Sequence, residues 1–191
     1  MSLYPGVALI TGSASGIGQA SAVSFAREGC KKIVLADRNA QGLEETKGAI
    51  KAVSSECDVL AVETDVSSAE SVDHLIEQAV ARFGRIDYSC NAAGVLSNNE
   101  RSDATTPDEF DRINGINYRG CWLCSRAEIM QMLKQEPLPT HDGRDGSRGS
   151  VVNIASQLGI VGRPAARMFM NVSFDDFADT WKLRIVDPKQ R

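Results

Sequence analysis

The chain has 191 residues, 42% hydrophobic and 24% charged, with a formal net charge of -4. That length fits one large domain able to bury about 70% of the surface its unfolded form exposes, and the composition is that of an ordinary globular protein. The mild acidity leaves no basic footprint and no apolar run nears the length of a bilayer span, so neither nucleic acid nor a membrane is an expected partner.

Residues 1–6 lack the charged and apolar blocks of a secretory leader, which makes the cytoplasm the expected compartment. Cys30, Cys57, Cys90, Cys121 and Cys124 are odd in number and scattered through apolar segments, the pattern of reduced core thiols. Cys121 and Cys124 form a C-x-x-C with no second ligand pair, so packing is expected there and no metal site.

In chain order, Val7 to Ile10 is a short apolar run ending in glycines, which predicts a buried parallel strand and a tight turn. Gly16 to Glu28 has no proline and recurrent small and apolar residues, then Gly29 as a stop, so a helix follows. The pattern repeats: a strand from Ile33 to Ala36, a helix from Ala40 to Val53, a strand from Val59 to Glu63 and a helix from Ser68 to Phe83. In the last of these Val72, Leu75, Ile76, Ala79, Val80 and Phe83 fall on one helical face. A fourth strand spans Ile86 to Cys90, and Pro107 opens a long helix running to about Leu133, with Pro137 and Pro139 beyond it. His141 to Ser150 reads as a mobile surface loop before a fifth strand, Val151 to Ala155. Alternating strands and helices imply an α/β fold, a Rossmann-type doubly wound parallel sheet, with ligands beyond the carboxyl ends of its strands.

Between the first strand and the first helix lies Thr11-Gly12-Ser13-Ala14-Ser15-Gly16-Ile17-Gly18. A glycine turn there lets backbone N–H groups approach a pyrophosphate, which the positive end of the helix then faces. Asp37 closes the second strand 19 residues after Gly18, where a carboxylate accepts the ribose hydroxyls of an adenosine. The same carboxylate repels a 2'-phosphate, so NAD is expected over NADP, while Arg38 beside it keeps the NADP option open.

These residues resemble the short-chain dehydrogenase/reductase family. The glycine turn has its T-G-x-x-x-G-I-G form, Asp65-Val66 ends the third strand, Asn91-Ala92-Ala93-Gly94 ends the fourth, and Asn117 precedes Gly120 in the long helix. The likeness covers Val7 to about Arg167 and implies an oxidoreductase that moves a hydride between nicotinamide and a small-molecule alcohol or ketone. It further implies that Asp65 and Val66 contact the adenine and that Asn91 to Gly94 line the cofactor groove. Asn117 matches the family's residue that holds a water in the proton relay, and Ser156 matches the serine that orients the substrate. Long helices commonly pair between subunits in this family, which makes 107–133 the candidate contact of a homo-oligomer.

The sequence departs from the family where its catalytic Tyr-x-x-x-Lys belongs. Counting thirteen residues on from Ser156 reaches Phe169, and four further reaches Ser173. Tyr4, Tyr88 and Tyr118 are the only tyrosines, and none has Lys four residues later. A benzyl side chain donates no proton, so this chain is expected to be weak or inactive, or else a silent nucleotide-binding protein or partner subunit.

An NAD-binding domain is therefore expected over residues 1–167, and an atypical tail over 168–191, with the sheet incomplete at its C-terminal edge. Phe174, Phe177, Ala178, Trp181 and Ile185 stand at helical spacing, which suggests a helix docked over that edge. The abrupt change after Arg167 is what an unspliced intron or an equivalent gene-model error produces. Arg163 and Pro164 are expected near the substrate entrance or in a turn.

Overall fold

The computed structural model describes residues 3–96, 103–139 and 146–156, and the backbone of 183–185. Strands β1 (Val7–Thr11), β2 (Lys32–Asp37), β3 (Asp58–Glu63), β4 (Tyr88–Asn91) and β5 (Gly149–Asn153) run parallel. Between them come helices α1 (Gly16–Arg27), α2 (Ala40–Val53) and α3 (Ala69–Phe83). A longer helical path then combines α4 (Pro107–Asn114), a π-helical segment (Gly115–Gly120) and α5 (Cys121–Met132). The sheet order is β3-β2-β1-β4-β5-β6, where β6 is Leu183–Ile185. Strand order reverses between β1 and β4, which opens the crevice of a doubly wound Rossmann-type sheet at their carboxyl ends.

The central strands β1 and β2 are buried on both faces, and their side chains divide with a period of two. Val7 and Leu9 join Val34, Ala36, Leu75, Ala79 and Met132 on the face covered by α3 and α5. Ala8 and Ile10 join Ile33, Leu35, Ala22, Leu43 and Ile50 on the face covered by α1 and α2. Local signals fix where the helices begin. The Asn39, Ser68 and Thr106 side chains accept from the backbone N–H groups of Gly42, Ser71 and Glu109, and Pro107 takes the first position of α4.

Three expectations need correction. The single helix from Pro107 to Leu133 is interrupted by the π-helical segment, which widens one turn at the position of Asn117. The fifth strand begins at Gly149 and ends at Asn153, two residues earlier than the apolar run indicates, because it pairs in register with Tyr88 to Asn91. The far edge of β5 is not bare: Leu183–Ile185 pairs with it antiparallel, Val151 facing Leu183. Ile185 thus lies in a strand rather than the suggested helix, while Phe174, Phe177, Ala178 and Trp181 lie outside the described residues, as do 141–145 of the surface loop.

Candidate cofactor site

The glycine turn is built so that backbone lies against backbone. At Gly12, where φ is 67°, a Cβ would sit 2.7 Å from the Ala92 carbonyl oxygen and the Ala93 nitrogen, so only glycine lets the turn lie on the end of β4. A Cβ on Gly18 would run into the Gly12 carbonyl oxygen. Gly16 differs: its φ is 54°, and a Cβ there would meet nothing within 4 Å. Open space therefore faces the start of α1. Ser15 enters that helix extended, with φ of -160°, and its side chain makes no cap bond. The first-turn N–H groups and the helix dipole suit an anion at this position, so the cradle fits a pyrophosphate. Ile17 forms the exposed lip of the turn.

Neighbouring elements hold the turn in place. The Ser13 N–H and hydroxyl both donate to the Ala36 carbonyl, at 3.2 and 3.3 Å. The Ala14 N–H donates to Asp37 Oδ2 at 3.1 Å, and the Asn39 N–H donates to Asp37 Oδ1 at 3.0 Å. Each carboxylate oxygen has a further lone pair, so Asp37 can fix the turn and still accept ribose hydroxyls. The Thr46 hydroxyl on α2 donates to the Ser13 carbonyl at 2.8 Å and accepts from the Gln19 amide at 2.9 Å. Sequence reasoning passed over Thr46 and Gln19; the available signal was a hydroxyl on the inward face of an amphipathic helix.

At the β3 end, Asp65 is exposed and bonded to the Ser67 hydroxyl and N–H at 2.7 and 2.9 Å. Those bonds, with the Arg38 charge as a smaller influence, hold its carboxyl below the usual range. Val66 is buried against Val72, Leu123 and Ala127, so its side chain serves the core and only its backbone remains for a ligand.

Beyond β4 the chain is tied down on two sides. The Ala93 N–H donates to Thr11 Oγ1 at 3.3 Å, and that hydroxyl donates to Asn91 Oδ1 at 3.3 Å. The Asn117 amide, carried on the π-helical segment, accepts from the Val95 N–H at 2.8 Å and donates to the Val95 carbonyl at 2.9 Å. Its side chain thus clamps the loop next to Gly94 while keeping one Oδ1 lone pair and one Nδ2 N–H for a water. The Ile154 N–H donates to the Asn91 carbonyl at 2.9 Å, which carries the β5 exit alongside the β4 exit and leaves Ser156 exposed three residues past the strand. The structure thus brings Gly12 to Gly18, Asp37, Asn91 to Gly94, Asn117 and Ser156 to the carboxyl edge of one sheet. Arg163, Pro164, Phe169 and Ser173 lie outside the described residues.

The C-x-x-C pair sits in α5, with Cys124 buried and Cys121 half-buried. Burial, followed by the charge of Glu128, pushes the Cys121 thiol up to about 11, and the same two causes raise Cys124 well above its ordinary value. Such thiols are neutral at physiological pH, the opposite of the thiolate that an activated cysteine needs.

A family model described as short chain dehydrogenase matches residues 6–170, three residues past the limit read from the sequence. Levodione reductase of Leifsonia aquatica is 36% identical over 156 residues, covering 82% of this chain and 54% of that protein. Tetrahydroxynaphthalene reductase of Pyricularia oryzae is 34% identical over 172 residues, covering 83% of this chain and 60% of its own length. The chain therefore spans little more than half the length of the curated relatives it matches. Among solved structures, 3-ketoacyl-(acyl-carrier-protein) reductase from Brucella melitensis complexed with NADH superposes with a TM-score of 0.78 at 32% identity, covering 94% of this chain and 68% of that one. With its strand order, its glycine cradle and these relatives in agreement, the chain belongs to the short-chain dehydrogenase/reductase family of oxidoreductases.

Proposed function

We propose that this chain binds NAD along the carboxyl edge of its sheet, and that its chemistry by descent is hydride transfer between nicotinamide and an alcohol or ketone. The observation that carries this reading is Asp37, whose carboxylate closes β2 while holding the Ala14 N–H of the phosphate turn. Gly12 to Gly18 would bind the pyrophosphate, Asp37 the ribose, and Asp65 and the Val66 backbone the adenine, while Asn91 to Gly94 would line the cofactor groove. Bound NAD supplies the hydride acceptor or donor. The Ser156 hydroxyl would orient the substrate oxygen. Asn117 would hold a water of the proton relay while its amide clamps the groove wall at Val95. Asp37 disfavours NADP by repulsion of its 2'-phosphate, and Arg38 is the residue that would offset that repulsion.

Catalysis is proposed to be impaired, because neither Phe169 nor Ser173 is the proton donor or the cation of the family's Tyr-x-x-x-Lys. Losing the general acid lowers rates by about 10² to 10⁴. The binding domain is assigned to residues 1–167, with 168–191 as an atypical tail. Free thiols at Cys30, Cys57, Cys90, Cys121 and Cys124 favour a reducing compartment such as the cytoplasm. A second copy of the chain is proposed to pack against α5, where Trp122, Met130 and Leu133 present an exposed apolar face.

Nicotinamide fluorescence during an NADH titration tests the binding, with Asp37→Ala as control. Saturation by the wild type and its loss in the variant are expected; failure to saturate at millimolar NADH would overturn the reading. Absorbance at the NADH band with a panel of ketones tests the chemistry. Saturable binding without oxidation favours the second reading, a silent nucleotide-binding protein or partner subunit, which rests on Phe169 and Ser173.

A further inference from the structure

Beneath the groove, behind Asn91, lies a polar cluster whose other members, Glu128, Ser125, Asn153 and Ser89, the proposed chemistry does not use. Glu128 on α5 is fully buried, with 0% of its surface exposed. Its Oε2 accepts from Asn91 Nδ2 at 2.9 Å. The same amide nitrogen reaches Asn153 Oδ1 at 3.1 Å and Ser125 Oγ at 3.4 Å, and the Ser125 hydroxyl donates to Asn153 Oδ1 at 3.1 Å. One carboxyl thus touches the asparagine that links the ends of β1, β4 and β5. Asn91 Oδ1 holds the Thr11 hydroxyl, Thr11 holds the Ala93 N–H, and the Asn91 carbonyl holds the Ile154 N–H.

The other carboxyl oxygen is unsatisfied. Among the described side chains, Glu128 Oε1 and Ser89 Oγ are buried oxygens without a hydrogen bond of good geometry. The Ser89 hydroxyl on β4 is nevertheless near enough to favour the charged carboxylate. An unpaired buried carboxyl oxygen costs free energy, which is hard to account for in a group that serves packing alone.

We propose that Glu128 is a positioning residue: by holding the Asn91 amide it sets the backbone of Ala93 and Ile154, and its protonation state changes that hold. With the carboxylate ionised, the bond from Asn91 is charge-assisted and short, and Oε1 is an acceptor for Ser89. With a proton on Oε1, the carboxyl becomes a donor toward Ser89 Oγ, and Asn91 faces a neutral oxygen. The proton comes from solvent and returns to it, and no other bond changes.

Burial pushes the Glu128 carboxyl up to about 7, against the smaller lowering from Asn91 and Ser89, so both states are populated near neutrality. Its titratable neighbours are the thiols Cys90 on β4 and Cys121 and Cys124 on α5, all raised by burial and by the Glu128 charge, hence neutral over the same range. The remaining polar groups against it, from Ser89, Asn91, Ser125 and Asn153, do not titrate. That a nucleotide occupies the groove rests on the function proposed above; the placement of Ala93 and Ile154 does not.

The test follows backbone amide NMR signals of the full chain, without ligand, from pH 5.5 to 8.5. The Ala93 and Ile154 signals of the wild type are expected to move with one midpoint near neutrality. In Glu128→Gln, which keeps an acceptor for Asn91 and a donor for Ser89, they are expected to stay fixed. Ser89→Ala removes a group that favours the charged form, so its midpoint is expected to move upward, which tests the idea even where Glu128→Gln folds poorly. Signals that stay still in the wild type, or that titrate alike in Glu128→Gln, overturn the proposal. A parallel NADH titration is expected to show about fivefold tighter binding above the midpoint than below it, and a flat profile in Glu128→Gln. Absence of NADH binding in both proteins overturns the cofactor reading alone, since the amide signals decide the role of Glu128 separately.

Discussion

The Thr46 hydroxyl on α2 donates to the carbonyl of Ser13 in the phosphate turn at 2.8 Å, across 33 residues of chain. The hydroxyl is buried and also receives the Gln19 amide, so it joins α1, α2 and the turn at one point. Thr46→Val preserves shape and removes that junction, leaving a carbonyl and an amide without their partner. A loss of about 1–3 kcal/mol in unfolding free energy is expected, together with about fivefold weaker NADH binding. Urea melts and nicotinamide fluorescence measure the two; a variant that loses stability with unchanged affinity shows that Thr46 supports the fold and not the cradle.

Asn117 makes a two-bond clamp on Val95, and its substitutions should grade accordingly. Asp at this position accepts from the Val95 N–H but cannot donate to the carbonyl, and Ala does neither. Hydrogen exchange at the Val95 amide should be slow in the wild type, intermediate in Asn117→Asp and fast in Asn117→Ala. Each lost bond is expected to lower stability by about 1 kcal/mol. Equal protection in all three proteins would show that the loop is held by other means.

The α5 surface gives a prediction about assembly. Trp122, Met130 and Leu133 are each nearly half exposed and recur on one face of the helix, with Arg126 stacked 6.0 Å from the Trp122 ring. Trp122→Glu places a charge at the N-terminal end of that face. Light scattering is expected to give a multimer for the wild type and a smaller species for the variant. A wild type that runs as a monomer at tens of micromolar (about 50 µM) excludes this contact as a stable one.

How much of this was legible in the sequence follows from the range of the interactions. Apolar runs ending in glycine located β1, and Asp37 stood out because a strand-turn-helix context surrounds it. Those signals are local. The π-helical turn at Asn117 was missed because Gly115 to Gly120 has no helix-breaking proline, and Gly115 and Gly120 were its one local mark. β5 was read two residues late because its limits are set by pairing with β4, and Gly149 and Ser150 look like loop residues by composition. The partnership of Glu128 with Asn91 spans 37 residues, and a lone Glu on an otherwise apolar stretch of α5 reads as a solvated position until the packing of β4 beneath it is known.

Glu128 also makes stability depend on pH in a direction opposite to that of a salt-bridged acid. Its folded pKa, raised to about 7, lies above the ordinary 4.5. Between those values the unfolded chain has released the proton and the folded chain has kept it, so stability falls as pH rises. The contribution is fully present below about 4.5 and gone above about 7. Integrated over that window the loss is on the order of 3 kcal/mol. Glu128→Gln cannot ionise, and its urea midpoint should lose this slope while other acids contribute equally to both proteins. Parallel pH profiles for the two proteins would mean that Glu128 gives up its proton in the folded chain as readily as in the unfolded one, and would overturn the raised value.

The last prediction concerns residues 168–191. The family model reaches 170, and a count of thirteen residues on from Ser156 reaches Phe169. The one described piece of the tail, Leu183–Ile185, lies antiparallel on β5, whereas every other neighbour in this sheet is parallel. A doubly wound sheet grows by parallel crossovers, so an antiparallel strand on that edge is what a segment unrelated to the fold's own continuation can supply. If Arg167 is encoded CGT, then Met168 and a T-initial Phe169 codon spell GTATGT, an intron donor sequence that the protein sequence permits. Sequencing of transcripts from the source cells is expected to reveal a spliced message in which Tyr-x-x-x-Lys follows thirteen residues after Ser156. The protein from that message should oxidise or reduce its substrate about 10² to 10⁴ times faster than this chain. Should every transcript encode Phe169 and Ser173, the tail is the protein's own and the silent nucleotide-binding reading takes precedence.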